Sequence, residues 1–390
     1  MRGRRYANGS GCRGAGGSQE DGGKLNAEFL GALEDLERER GIDKEVLLEA
    51  IEAALISAYR RNYGGAGANV RVHLDRTTGE PEVYQVRNVV EEVADPRVQV
   101  SLKEARADDP SMQVGDVVET NVTPKAFSRI AAQTAKQVVM QRIREAERGL
   151  IYQEFQSREG DIVTGVVQRV EALHEGARDL VELFHGAERH QRIFVHLGRT
   201  EAVLRPSDQV PNEQLRSGER VKAYVVEVKK TTKGPEIYVS RSHPGLLKRL
   251  FELEVPEIHD GVVEIKGIAR EAGHRAKVAV WADDPNVDPV GACVGPKGMR
   301  VQAIVNEIRG EKLDIVRWDP DPSVLVANAL SPARVTSVTV EPDTKTARVV
   351  VPDYQLSLAI GKDGQNARLA AKLTGWKVDI RSESQAQGGW

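Results

Sequence analysis

Apolar positions repeat first with the period of a helix. Leu25, Phe29, Leu30, Leu33 and Leu36 share one face of a predicted helix over 25–40. Val46, Leu47, Ala50, Ile51, Ala54, Leu55 and Ala58 repeat the pattern over 43–60. Gly41 is placed to end the first helix and Asp43 to cap the second. The period then drops to two at 70–74 and 81–87, predicting two strands joined by a polar turn at 75–80. Thr123, as N-cap, and Pro124, at the first helical position, open a pattern that runs to about residue 156. Its stripe is Phe127, Ile130, Ala131, Thr134 and Val138. A helix of about 30 residues is long for one globular domain, so it is expected to protrude or to link two bodies.

From Gly160 the alternation is of period two again. Short strands are predicted at 161–170, 193–197, 200–204, 220–228 and 236–241. Five strands in about 80 residues suit a small OB-type barrel, which binds single strands on an open face. Between the first two strands, the insertion 171–192 holds His174, His185 and His190, with His196 just beyond. No carboxylate–histidine spacing completes a metal site there, so a solvated loop is expected.

Beyond residue 246 one unit occurs twice. Strands near 262–268 and 276–281 lead to Val294-Gly-Pro-Lys-Gly298, a helix over 299–308 and Leu313-Asp-Ile. Strands near 335–340 and 347–351 lead to Ile360-Gly-Lys-Asp-Gly364, a helix over 365–373 and Val378-Asp-Ile. The Gly-x-x-Gly loops lie 66 residues apart and the Asp-Ile pairs 65 apart, which predicts two copies of one domain. Two glycines three apart at a helix start admit positive φ and let a ligand backbone approach amides that favour phosphate. Lys297 and Lys362 are expected to add charge at the same point, and Val294 and Ile360 to wall a groove for unstacked bases. The candidate RNA-binding residues are therefore Val294, Gly295, Pro296, Lys297, Gly298 and Arg300 in the first copy. In the second they are Ile360, Gly361, Lys362, Asp363, Gly364, Asn366 and Arg368. One such loop alone is weak evidence in a chain with 36 glycines, but two in matching contexts are not.

Composition narrows the classes. At 390 residues the chain suits several domains, and 40% hydrophobic with 29% charged residues is a globular balance. No apolar run reaches the roughly 20 residues of a bilayer span, and the Gly/Arg-rich start lacks the apolar stretch of a secretory signal. Cys12 and Cys293 are too few for a disulfide framework, which points to a reducing cytoplasm. The net charge of -3 cannot steer nucleic acid as a whole, so an RNA site must be local. Between Arg216 and Leu250 nine Lys/Arg stand against three Glu, whereas Gly245 to Arg381 carries 19 of each sign. Binding through shaped loops rather than through a positive field is expected of the repeat. Trp281, Trp318 and Trp376 are expected in cores and Trp390 in a polar tail.

The repeat resembles the KH domains of the NusA family, bacterial transcription elongation, termination and antitermination factors. The most telling segments are Val294-Gly-Pro-Lys-Gly-Met-Arg-Val-Gln and Ala359-Ile-Gly-Lys-Asp-Gly-Gln-Asn-Ala-Arg. Phe127-Ser-Arg-Ile-Ala-Ala-Gln-Thr-Ala-Lys-Gln and Val239-Ser-Arg-Ser-His-Pro are similar to the family's N-terminal and OB-fold signatures. The resemblance covers about 25–382 and implies a multidomain α+β chain. It would comprise an N-terminal extension (1–24), an N-terminal α+β domain with the long helix (25–157), and an S1-type OB-fold β-barrel (158–243). Two type II KH domains (244–320, 321–382) and a disordered tail (383–390) would complete it. The function implied is that of a monomeric, cytoplasmic RNA-binding transcription factor modulating pausing, termination and antitermination. The partners implied are core RNA polymerase through the β-subunit flap, nascent single-stranded RNA including ribosomal RNA leaders, and other antitermination factors. No catalytic residue, metal, cofactor or membrane contact is implied. No acidic repeat follows residue 382, so the contact such repeats make with the polymerase α subunit is expected to be missing.

Two other readings compete. RNA-degrading phosphorylases carry KH and OB modules, but in the reverse order and with a core that residues 25–155 are too short and too helical to form. Nucleotide-loop, zinc-protease and serine-hydrolase motifs are also lacking, and Asp283, Asp284 and Asp288 read as a solvated loop. A ribosome- or RNA-degradation-associated scaffold would explain the OB–KH order but not the N-terminal helical domain.

Overall fold

The computed structural model describes residues 19–64, 67, 69–172 and 191–387, with side chains from Phe29 onward. Expectations for Cys12, His174, His185, His190 and Trp390 lie outside the described residues, as do the side chain of Leu25 and most of the 171–192 insertion. The chain forms two compact units, which divide between Leu150 and Ile151.

In the first unit α1 (Gln19–Arg40) and α2 (Lys44–Tyr63) meet at Gly41 and Asp43. Asp43 caps α2, its carboxylate accepting from the Glu45 and Val46 amides at 2.7 and 3.3 Å. Because α1 begins at Gln19, residues 19–24 are helical. Leu47, Leu48, Ile51 and Leu55 pack on Leu30, Leu33, Val72, Leu74 and Val83. Leu48 takes the core place expected of Val46, which is 52% exposed. The sheet joins β1 (Val70–Leu74), β2 (Pro81–Val90), β3 (Gln99–Ser101) and β4 (Val117–Asn121). In it β2 pairs antiparallel with β1 and β4 and parallel with β3. A helix capped by Ser101, α3 (Leu102–Asp108), adds Ala105 to a small second core with Val89, Val100 and Met112. The long helix, α4 (Phe127–Gln156), starts later than expected. Thr123 does not cap it: its hydroxyl accepts from the Val83 amide at 2.8 Å and donates to Asn121 at 2.7 Å. Phe127, Ala131, Ala135 and Val139 are buried in the main core.

The second unit begins with the last turns of α4, whose Ile151, Tyr152 and Phe155 line a barrel core. The barrel strands are β5 (Ile162–Ala172), β6 (Gln191–His196), β7 (Glu201–Leu204), β8 (Arg220–Thr231) and β9 (Gly234–Ser240). They close in the order β5-β6-β7-β9-β8. His243 and Pro244 then open α5 (Pro244–Glu254), followed by α6 (Pro256–His259).

The two repeat copies follow. The first holds β10 (Glu264–Glu271), β11 (Arg275–Trp281), α7 (Pro289–Val294), α8 (Met299–Glu307) and β12 (Lys312–Arg317). The second is led by α9 (Pro322–Ala329). It holds β13 (Ser337–Glu341), β14 (Thr346–Val351), α10 (Leu356–Ile360), α11 (Gln365–Thr374) and β15 (Lys377–Ser382). In each the middle strand runs antiparallel to the first and parallel to the last. A turn of helix, α12 (Glu383–Ala386), held by a capping box on Ser382, replaces the disorder expected from residue 383. Trp281 and Trp318 meet edge-to-face at 5.4 Å, and Trp376 packs at the edge of the second copy's core. All three are half-buried rather than core residues.

Buried polar joints bind these modules together. Arg241, 2% exposed, donates to Glu213 at 2.9 Å and to the carbonyls of Lys222 and Glu307 at 2.7 and 3.0 Å. Lys277 on β11, fully buried, donates to Asp314 at 2.9 Å and to the Ser331 carbonyl between α9 and β13 of the second copy at 2.7 Å. Burial pushes the Lys277 ammonium down, and pushes the Asp314 carboxyl up. For Asp314 the hydrogen bonds and charges of Arg275 and Lys277 outweigh burial and hold it below the ordinary carboxylate range.

Candidate nucleic-acid interface

The glycine loops match angle for angle. Gly295 and Gly361 lie at φ/ψ of 71°/174° and 76°/171°, a region open essentially to glycine alone. Lys297 and Asp363 follow at 53°/24° and 53°/27°, and Gly298 and Gly364 at 74°/15° and 72°/14°. Each loop is closed by its own backbone, Gly298 donating to Gly295 at 3.0 Å and Gly364 to Gly361 at 3.2 Å. Each lies at the N-terminus of a helix, α8 or α11, where the macrodipole favours an anion.

This geometry corrects one expectation. Lys297 and Lys362 do not occupy the same point: Lys297 corresponds to Asp363, and Lys362 to Pro296. The first loop carries a cation at its apex and, through Pro296, one amide fewer. The second carries an acid at the apex with a cation beside it. All four residues are exposed. Val294 is half-buried and Ile360 is 38% exposed. With Met299 (64%) and Leu358 (44%) they leave apolar surface beside the loops.

The other three candidates are engaged by the fold. Asn366 is 1% exposed and donates its amide to the carbonyls of Leu330 and Ala359 at 3.0 Å each, so its side chain is not an RNA contact. Arg300 donates to the Ala292 carbonyl at 2.6 Å and to Glu257 at 2.8 Å. Arg368 is bidentate to Glu271, at 2.6 and 3.2 Å. That hydrogen bond holds the Glu271 carboxyl down and raises the Arg368 guanidinium.

Models of known families match the chain in series. The NusA N-terminal domain matches residues 28–149 and the S1 RNA binding domain 156–240. The NusA-like first and second KH domains match 241–318 and 322–388. A protein of Halalkalibacterium halodurans named transcription termination/antitermination protein NusA is 60% identical over 93% of this chain and 90% of its own length. The chain belongs to the NusA family. Proteins of the same name from Bacillus subtilis (59% identical, 93% of each chain) and Thermus thermophilus (46%, over 91% of this chain and 89% of that one) are similar along the same span.

In this NusA-family chain the barrel offers a surface that sequence reasoning missed. The strand registers Arg169↔Phe194, Phe194↔Val203 and Val203↔Tyr238 set these four residues in one row across β5, β6, β7 and β9. The Arg169 guanidinium lies 3.9 Å over the Phe194 ring. Arg205 and Lys229 lie 4.7 and 5.5 Å over the Tyr238 ring. Half-buried aromatic rings flanked by cations, as Phe194 and Tyr238 are here, can stack bases and attract their phosphates. The signal was available in the alternation of Arg192, Phe194 and His196 against buried Ile193 and Val195, but it was absorbed into the strand pattern. The basic run over 216–250 divides instead. Arg241, Lys222 and Arg249 serve the joint, pairing with Glu213, Glu307, Asp161 and Glu252, while Lys229, Lys230 and Lys233 remain exposed around the β8–β9 hairpin. Asp283 and Asp284 accept from Trp281 and Asn286, and Asp288 caps α7.

Proposed function

We propose that this chain is an RNA-binding transcription factor that docks on RNA polymerase through its first unit. Its barrel and paired KH loops would hold nascent single-stranded RNA, and so modulate pausing, termination and antitermination. The observation that carries the reading is the dihedral identity of two glycine loops, each opening a helix, in a chain whose relatives are named for termination and antitermination. RNA backbone would lie against both loops and bases on the Phe194–Tyr238 row. The polymerase contact belongs to the β-subunit flap beside the RNA exit channel, and the place of action is the cytoplasm. No chemistry on RNA is part of the proposal. No helix among the described residues is long and apolar enough to cross a membrane.

Halted elongation complexes of bacterial RNA polymerase with photoreactive nucleotides in the emerging transcript test this reading. RNA should crosslink to residues 151–390 of the added chain, and readthrough of an intrinsic terminator should change. A chain that fails to join the complex, or that leaves the transcript pattern unaltered, overturns it.

A further inference from the structure

Arg300 and Asn366 occupy the same place in their repeats, five residues after the first glycine of each loop. Their side chains differ in size and charge, yet they reach corresponding places, Arg300 through a carbonyl and the Glu257 carboxylate and Asn366 through carbonyls alone. Arg300 Nη1 donates to the carbonyl of Ala292 at 2.6 Å, and Asn366 Nδ2 to that of Leu358 at 3.4 Å, each three residues before that glycine. Both reach back to the helical element ahead of their own sheet. Arg300 reaches Glu257 in α6 at 2.8 Å, and Asn366 the Leu330 carbonyl that follows α9 at 3.0 Å. Both also close on the glycine itself. A Cβ on Gly295 would stand 2.7 Å from Arg300 Cγ, and one on Gly361 2.8 Å from Asn366 Cβ. Three carbonyls converge on Asn366 Nδ2, so only the amide nitrogen can face them, and the buried Oδ1 is left with no partner among the described residues. A buried acceptor without a donor is unfavourable, and it is kept here by what the other half of the amide holds.

We propose that Arg300 and Asn366 are positioning residues. Each fastens its glycine loop to the preceding helical element, sets the angle at which the loop meets a phosphate, and does not itself touch RNA. The inference rests on the reading that the loops hold RNA backbone.

Affinity of the full chain for a single-stranded RNA oligomer, measured by fluorescence anisotropy in double-mutant cycles, tests it. Asn366→Ala should weaken binding about tenfold. The loss should vanish when Lys362→Glu has already disabled the second loop and persist beside Lys297→Glu in the first. Arg300→Met, which keeps the alkyl packing over Gly295 but removes the donors, should weaken binding about fivefold, with the pattern of backgrounds reversed. Losses of equal size in both backgrounds would show a general folding defect and overturn the inference, as would unchanged affinity of Arg300→Met. Should Asn366→Ala lose its circular-dichroism signal, the Arg300→Met cycle decides alone. If neither Lys297→Glu nor Lys362→Glu alters affinity, the loops do not hold RNA, and the inference falls together with that reading.

Discussion

The two glycines of each loop are not equivalent residues. Gly361 combines a glycine-only conformation with a wall, since an added Cβ would meet the Asn366 backbone nitrogen and Cβ at 2.8 Å. Gly364 has a left-handed conformation that asparagine tolerates, and nothing lies within 4 Å of the space a Cβ would fill. Gly364→Ala should therefore cost about 1 kcal/mol, and Gly364→Asn less, whereas Gly361→Ala should cost about 3 kcal/mol or more. Thermal melts of the full chain check the order, and equal losses at both positions would refute it. The glycines were legible in the sequence because only one residue type fits such a backbone. Asn366 and Arg300 were not legible: nothing in a polar side chain one turn past a loop says whether it faces solvent or turns back to the carbonyls beneath it.

Elements were legible where burial imposed a period. Strands β1, β5 to β9 and β14 lie close to where alternation placed them, because each hides one face in a core, whereas β11 is buried on both faces from Ala276 to Val280. Strand β4 was missed because its residues are half-buried or exposed, which leaves no alternation to read, and β3 because three residues are too short to show any. The Ser-His-Pro that opens α5 shows how a local signature works. Pro244 presets the first turn, and His243 caps it by accepting the Gly245 amide on Nδ1 at 3.0 Å, which requires that nitrogen unprotonated. Burial depresses the His243 imidazole below its ordinary 6.5, and the charge of Arg270 does so further, while Asp208 opposes them. The unfolded chain therefore binds this proton more readily than the folded one. The stabilising contribution is complete above pH 6.5 and is lost as pH falls through the lower folded value. The melting temperature should fall as pH drops below 6.5 in the parent and fall less in His243→Asn, which caps without titrating. The same fall in both proteins would exclude His243 as its source.

For the molecule as a whole, charge decides how RNA can be held. A net charge of -3, with a candidate interface of backbone loops, rings and isolated cations, gives contacts to few phosphates rather than a broad positive field. Affinity should therefore depend on salt, but through a small number of released counterions. The internal repeat made this legible in outline, since two copies with balanced charge imply shape over field. Phe194 was legible as an outward position of its strand, but the Phe194–Tyr238 row was not, because it exists only once β6, β7 and β9 lie side by side. The most direct measurement is the salt dependence of single-stranded RNA affinity for the full chain and for Lys297→Glu combined with Lys362→Glu. Both lysines are exposed, so melting should not change. Binding should weaken about tenfold or more in the double variant, with a log–log salt slope shallower by about 1.4, the release belonging to two phosphate contacts on a single strand. Equal affinity and equal slope for the two proteins would contradict this expectation.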